Sequence, residues 1–266
     1  MNNRDEDLRR IPRVSVIMPA YNAERFIEEA IGSVIRQTFQ DWELLVIDDG
    51  STDATVAVVE KLARTDSRIT LLRNEVNMGV AKTRNRGLDL CRGRFAALLD
   101  SDDIWHPQKL ERQLQLAEDT GADVIYCSYG IVDEWGKKLC EDFIVPARTN
   151  FEASLIKGVI SCSTALLSKK IVDNYRFDTK YYHEDYALWL QILRDSYTAC
   201  GNVEVLADYR VMNGTRASNK LRSAAYRWQI YRKLLKFNVI KSAGLLAQYG
   251  FLGLKKYRKL SNDTEG

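Results

Sequence analysis

Four short apolar runs in the first hundred residues constrain this chain most: "VSVIM" (14–18), "ELLVI" (43–47), "ITLLR" (69–73) and "RFAALL" (94–99). Each is brief and continuous, as strands buried on both faces read. The segments between them have helical spacing. Phe26, Ile27, Ala30, Ile31, Val34 and Ile35 fall on one face. "TDATVAVVEKLAR" reads as a second helix, with Thr52 or Asp53 placed to cap it, and "GVAKTRNRGLDLC" as a third. His106-Pro107 opens a helix carrying Leu110, Leu114 and Ala117, with proline in the tolerated first turn. "DVIYCS" reads as a fifth strand. Strands alternating with helices predict an α/β fold, a Rossmann-like and mostly parallel sheet flanked by helices.

In such a sheet, ligands bind beyond the carboxyl ends of the strands. Three ends carry conspicuous chemistry: Pro19-Ala20-Tyr21-Asn22, Asp48-Asp49-Gly50-Ser51 and Asp100-Ser101-Asp102-Asp103. Clustered carboxylates need a counter-charge, and a hard divalent cation, Mg²⁺ or Mn²⁺, supplies one through oxygen ligands. Mg²⁺ commonly takes one or two carboxylates and completes its shell with water and substrate phosphates. Asp-x-Asp therefore points to a metal–diphosphate complex, the metal acting as Lewis acid for a departing phosphate. The plainer reading is that Asp102 and Asp103 cap the next helix. Their place after a buried strand, beside two other polar strand ends, favours the metal. "DDGSTD" is good turn chemistry too, yet a carboxylate at that rim can accept hydrogen bonds from a base or ribose. Lys82 and Arg84 could offset phosphate charge or form a solvated face.

A length of 266 residues suits one large domain, or one domain with an appendage, and 45% hydrophobic residues allow a sizeable core. The five cysteines are odd in number and lack Cys-x-x-Cys spacing, which argues against a zinc site or disulfide framework and fits a reducing cytoplasm. The start "MNNRDEDLRR" lacks the apolar core of a signal peptide, and no run of about 18 apolar residues predicts a membrane span. The net charge of +3 conceals an asymmetry. Between Tyr209 and Asn262 stand thirteen Lys and Arg and no Asp or Glu, while the remainder carries 26 basic and 36 acidic residues.

Taken together, "VSVIMPAYNAERFIEEAIGSVIRQTFQDWELLVIDDGSTDAT" and "NMGVAKTRNRGLDLCRGRFAALLDSDD" resemble the family 2 glycosyltransferases of the GT-A fold. Among them the look is that of small bacterial enzymes of polysaccharide assembly, such as teichuronic acid, O-antigen and capsule transferases. The resemblance is dense over residues 14–110, resumes at "HEDYALWLQIL" (183–193) and continues loosely through "LADYRV" and "RWQIYRKLL". It implies an inverting, metal-dependent transfer from a nucleotide-diphosphate sugar, a UDP-sugar by family tendency, with Mn²⁺ or Mg²⁺ as cofactor. By this similarity Pro19, Ala20 and Tyr21 contact the nucleotide and Asp49 faces the base. Asp100, Ser101 and Asp102 meet ribose, diphosphate and metal, with Asp102 the direct ligand. The family usually has alanine before "RN"; here Lys82-Thr83 precede Arg84-Asn85, a departure from the pattern. The implied organisation is a catalytic domain over 1–208, its nucleotide half at about 12–125 and its acceptor half at about 126–208. A basic amphipathic helical extension follows over 209–266.

Transfer requires an acceptor hydroxyl to lose its proton, and a carboxylate within hydrogen-bond reach can take it. "YYHEDYALWLQIL" offers Glu184 and Asp185 at a helix start, where the dipole favours the ionised form. Both could instead be caps. By similarity to the family, Asp185 is the base of a single displacement with inversion. His106 and His183 are the only histidines, and "HED" lacks the second histidine of a zinc-protease motif, so His183 reads as structural or acceptor-facing. "RWQIYRKLLKFNVIKSAGLLAQYGFLGLKKYRKL" mixes apolar, aromatic and basic residues, as helices lying on an anionic membrane do. A hairpin packed on the domain would use the same residues. Nothing matches a nucleic-acid module. The lipid-linked saccharide acceptors of the family suit a peripheral place on the inner face of the cytoplasmic membrane. Haloacid-dehalogenase phosphatases also use Asp-x-Asp, but after the first strand, and sugar nucleotidyltransferases need a glycine-rich basic loop that "PAYNAERF" lacks. A degenerate, non-catalytic membrane scaffold is the remaining alternative, and the intact Asp102 and Asp185 stand against it.

Overall fold

Strand β1 (Val14–Ala20) is buried along its whole length because it has a strand on each side and a helical layer on each face. A computed structural model describes residues 11–212 and 220–262; Arg216 and the start "MNNRDEDLRR" lie outside the described residues. β1 pairs in parallel with β2 (Trp42–Asp48) and β4 (Phe95–Leu98), and β2 with β3 (Ile69–Arg73). Alternate side chains go to opposite faces. Val14, Val16 and Met18 pack with Ile31 and Val34 of α1 (Ile27–Ile35), Val59 of α2 (Thr55–Thr65) and Leu110 and Leu114 of α4 (Lys109–Thr120). Ile17 packs on the other face with Ala81 and Leu88 of α3 (Val80–Leu90). The cap position of α2 is Ala54, yet Asp53 accepts the Thr55 N–H at 3.0 Å, so the expected cap acts from one residue further out. Gln108, not Pro107, occupies the cap of α4, which places the proline just outside the helix.

The sheet order is β3-β2-β1-β4-β8-β6-β9-β5, with β7 (Arg148–Thr149) on β9 (Ala199–Arg210). β8 (Leu166–Ser168) runs against both β4 and β6 (Val124–Val132), whereas β6 and β9 are parallel. β5 (Ile104–Trp105) and β7 are antiparallel to β9. The parallel sheet expected from the sequence therefore describes the first half, and the second half is mixed. Helices α5 (Phe151–Ile156), α6 (Lys169–Asn174) and α7 (Glu184–Arg194) lie in this half, with Ile171, Val172, Leu188, Trp189 and Ile192 joining the core beneath α3. The boundary expected near 125 falls inside β6 and that near 208 inside β9, because one continuous sheet spans both points.

The extension does not stand apart. α8 (Lys220–Gln229), a π-turn (Ile230–Leu234) and α9 (Val239–Asn262) pack on α5 and α7. Ile230, Tyr231 and Leu235 form a third apolar cluster with Leu155, Tyr186, Ala187 and Leu190. The Tyr231 hydroxyl donates to the Leu155 carbonyl at 2.5 Å. The Arg227 guanidinium sits 4.1 Å from the Tyr186 ring centroid and 4.2 Å from that of Tyr249. On α9, Leu245 and Leu246 turn inward, while Ile240, Ala243, Ala247 and Phe251 are exposed at helical spacing on one outward face. No helix among the described residues is long and apolar enough to cross a membrane.

Candidate active site

Parallel pairing brings the ends of β1, β2 and β4 to one rim. The loops after β1 and β2 are tied to each other. Asn22 Oδ1 accepts the Thr52 N–H at 2.9 Å, and Glu24 Oε2 accepts the Ala54 N–H at 2.9 Å. α3 settles close against the sheet at Gly87, where a Cβ would come within 2.4 Å of Ile17 Cγ2. Its start is fixed by Asp49. Asp49 Oδ1 accepts from Asn74 Nδ2 at 2.7 Å and from the Met78 N–H at 2.9 Å; Oδ2 accepts from the Gly79 N–H at 2.8 Å. Asp49 thus lines the rim and also folds the segment that leads into α3.

The acidic turn after β4 divides into three roles. Asp103 is buried and is no helix cap: it accepts from the Ser163 hydroxyl and, at 2.9 Å, from the Arg210 N–H. Ser163 also accepts the Asp100 N–H at 3.1 Å, so one hydroxyl spans the turn. Arg210 Nε donates to the Asp102 carbonyl at 2.8 Å, and its Nη2 pairs with Glu29 at 2.6 Å. Asp100 pairs with Arg84. The Asp102 carboxylate receives no side-chain donor among the described residues, and burial, then the neighbouring Asp100, push its pKa up to about 6. A carboxylate so placed fits a hard cation. No group of three or more His, Cys, Asp or Glu able to hold a metal occurs among the described residues. A cation at Asp102 and Asp100 would therefore need oxygens from a substrate to complete its shell.

Arg84 is the centre of the site. It is 5% exposed, donating at 2.6 Å to Asp100 and at 2.7 Å to Glu184. Burial opposes its charge, but the two carboxylates, Asp100 foremost, hold the guanidinium protonated well beyond its usual range. Arg84, Asp100, Glu184 and Tyr209 form a wall between two cavities. One, of about 470 Å³, is lined by Pro19, Ala20, Tyr21, Asp49, Ser101 and Asp102. The other, of about 410 Å³, is lined by Tyr129, Cys162, Tyr182, His183 and Asp185. Lys82 is exposed and lines neither. A cavity of about 620 Å³ near the start of β9, between Arg148 and Tyr197, is reached by none of the rim carboxylates.

The two acids of α7 differ. Glu184 is held by Arg84, whereas the Asp185 carboxylate accepts the N–H of Tyr186 at 2.7 Å. Burial is the main cause that raises both pKa values, the direction that strengthens a proton acceptor. Tyr129, Ser163, Tyr209 and Arg210 are site residues that sequence reasoning did not single out. The "LADYRV" stretch carried the signal for two of them, since it ends a strand beside the rim.

Comparison with known proteins agrees with this architecture. The sequence profile of glycosyl transferase family 2 matches residues 15–176. A UDP-Glc:α-D-GlcNAc-diphosphoundecaprenol β-1,3-glucosyltransferase of Escherichia coli, WfgD, is 36% identical over 92% of this chain and 94% of its own length. A protein of Bacillus subtilis (strain 168) assigned to teichuronic acid biosynthesis as glycosyltransferase TuaG is 33% identical over 92% of this chain and 97% of its own. The solved structure of Staphylococcus aureus TarS 1–349 with UDP-GlcNAc superposes with a TM-score of 0.72 at 21% identity, covering 89% of this chain and 71% of that one. On its matched sequence and its fold, this chain belongs to glycosyl transferase family 2.

Proposed function

We propose that this protein transfers a sugar from a UDP-sugar to a hydroxyl of a lipid-linked saccharide in surface polysaccharide synthesis, with inversion at the sugar carbon. The observation that carries this reading is the shared wall: Arg84, Asp100, Glu184 and Tyr209 separate a cavity holding Asp102 from one holding Asp185. The nucleotide sugar occupies the first cavity, against Pro19, Ala20, Tyr21 and Asp49. Asp102, with Asp100 beside it, would hold Mn²⁺ or Mg²⁺, which would supply Lewis-acid stabilisation for the leaving diphosphate. Arg84 keeps Asp100 and Glu184 in place. Asp185 receives the acceptor proton from the far side of the wall, as a single displacement with inversion requires. Glu184, committed to Arg84, serves as a positioning residue. WfgD carries UDP-Glc and a diphosphoundecaprenol-linked sugar in its name, and it supports the assignment of both substrates.

The extension, in this reading, rests on the anionic inner face of the membrane. Lys233, Lys236 and Lys241 are exposed on the same extension as the outward apolar face of α9. Of the thirteen basic residues, Arg210 is buried in the acidic turn and Arg227 lies between two tyrosines, so neither takes part. The test of the whole reading is a panel of UDP- and GDP-sugars with Mn²⁺, read as nucleotide release with and without a lipid-linked saccharide, and the anomeric configuration of the product by NMR. One UDP-sugar should be hydrolysed slowly alone and faster with acceptor, giving inverted product. Absence of binding to every nucleotide sugar overturns the assignment, and retained configuration overturns the role of Asp185.

A further inference from the structure

The basic extension touches a residue that lines the second cavity. Tyr182, which lines that cavity, is stacked on Tyr226 of α8, with ring centroids 4.3 Å apart and planes at 12°. His183 stands edge-on to both rings, at 5.4 and 5.7 Å. One turn before Tyr226, Arg222 donates from Nε to its hydroxyl at 2.9 Å. The guanidinium carbon lies 5.3 Å from the Tyr182 centroid and 5.8 Å from that of Tyr226, and Arg222 is exposed. A surface arginine ordinarily samples many rotamers. This one is oriented by a hydrogen bond and two rings, and one of those rings, Tyr182, lines the cavity that also contains Asp185.

We propose that Arg222 and Tyr226 form the subsite that receives the diphosphate of a glycosyl-diphosphate acceptor, with the sugar lying between this platform and Asp185. The proposal rests on the transferase reading above and specifies which chemistry the acceptor must present. A planar guanidinium matches phosphate oxygens in a paired geometry that an ammonium does not. The reactive hydroxyl and the phosphate charge of a glycosyl diphosphate sit on one sugar. Asp185 and Tyr182 likewise sit three residues apart at one helix start. The wall of Arg84 and its carboxylates keeps this subsite distinct from the cavity that takes the diphosphate of the sugar nucleotide.

The test uses two water-soluble acceptors in the absence of membranes: a sugar bearing a short-chain alkyl diphosphate, and the same sugar as a neutral alkyl glycoside. Arg222→Ala should lower kcat/KM for the diphosphate about 10–100-fold through KM, the scale of hydrogen bonds to a charged group. The neutral glycoside and the slow hydrolysis of the sugar nucleotide should be unchanged. Arg222→Lys should restore part of the loss, and Tyr226→Phe, which keeps the stack, should cost several-fold. Equal losses on both acceptors would make Arg222 merely structural and overturn the subsite. A loss seen only when anionic vesicles are present would assign the arginine to a lipid headgroup instead. Calorimetric titration of the alkyl diphosphate into both proteins gives a readout without turnover: equal affinity overturns the subsite. Failure to bind any sugar nucleotide, by contrast, overturns the transferase reading alone.

Discussion

The two cavities on either side of Arg84 are built by different means. The cavity of Asp102 is made from the ends of parallel strands, and its loops are locked by backbone hydrogen bonds to Asp49, Asn22 and Glu24. The cavity of Asp185 is assembled from a helix start, a 3₁₀ turn (Cys162–Thr164) and tyrosines of β6 and β9, with Tyr226 of α8 stacked on Tyr182 of its lining. The first takes its shape from the sheet itself. The second depends on packing among segments far apart in the chain.

If that division holds, Asp185→Asn should lower turnover by about 10²–10⁴-fold, the worth of a general base, while leaving sugar-nucleotide affinity as it was. Turnover equal to that of the unaltered protein would move the proton elsewhere, and lost nucleotide affinity would merge the two sides. Asp102→Asn should do the reverse. Metal-dependent UDP affinity, by calorimetry with and without Mn²⁺, should fall by more than the roughly 10–100-fold lost when only an outer partner of a ligand is removed. Ser163→Ala tests the joint between the sides, because its hydroxyl holds both Asp100 and Asp103. Stability in urea should drop by about 1–3 kcal/mol, the cost of buried polar groups left without partners, and UDP affinity should weaken with it.

Two smaller effects concern surfaces away from the wall. Ile240→Ser and Phe251→Ser should each weaken sedimentation with anionic liposomes about tenfold, since partial burial of such side chains is worth on the order of 1–2 kcal/mol. Turnover on soluble acceptors should not change, and neither variant mattering would leave α9 an ordinary solvated helix. His106 Nε2 lies 2.9 Å from Asp208, and the hydrogen bond to this carboxylate raises the imidazole pKa. Its stabilisation is therefore complete below the unfolded value of about 6.5 and lost as pH rises through the folded value. His106→Asn should destabilise by less than about 1 kcal/mol at pH 5.5, both groups being partly exposed. The difference from the unaltered protein should vanish at pH 9. A gap that widens toward alkaline pH would contradict the pairing.

What the chain discloses in advance follows the same division. "VSVIM", "ELLVI", "ITLLR" and "RFAALL" all form strands, as continuous apolar runs between helical patterns predict. Pro19, Tyr21, Asp49, Asp100 and Asp102 meet because that sheet aligns its ends. Among the elements that escape notice, β5, β7 and β8 have two or three residues each, too short to show a period. Arg210 reads as one of thirteen surface charges; only the fold reveals that it is buried against Asp103 and Glu29. Lys82 and Arg84 look equivalent on paper, and two positions of helical rotation send one to solvent and the other into the wall.

The sandwich of Arg227 between Tyr186 and Tyr249 has a consequence for descent. Tyr186 adjoins Asp185, so α7 and the terminal helices share one core and cannot be inherited separately. A recombination point just after Arg210 would part Tyr231 from Leu155 and leave Ala187 and Leu190 uncovered. A point before Asn150 would carry α5, α7, β9 and the extension together. Lineages that exchange acceptor preference by recombination should therefore show breakpoints upstream of α5, with the whole distal half travelling as a block.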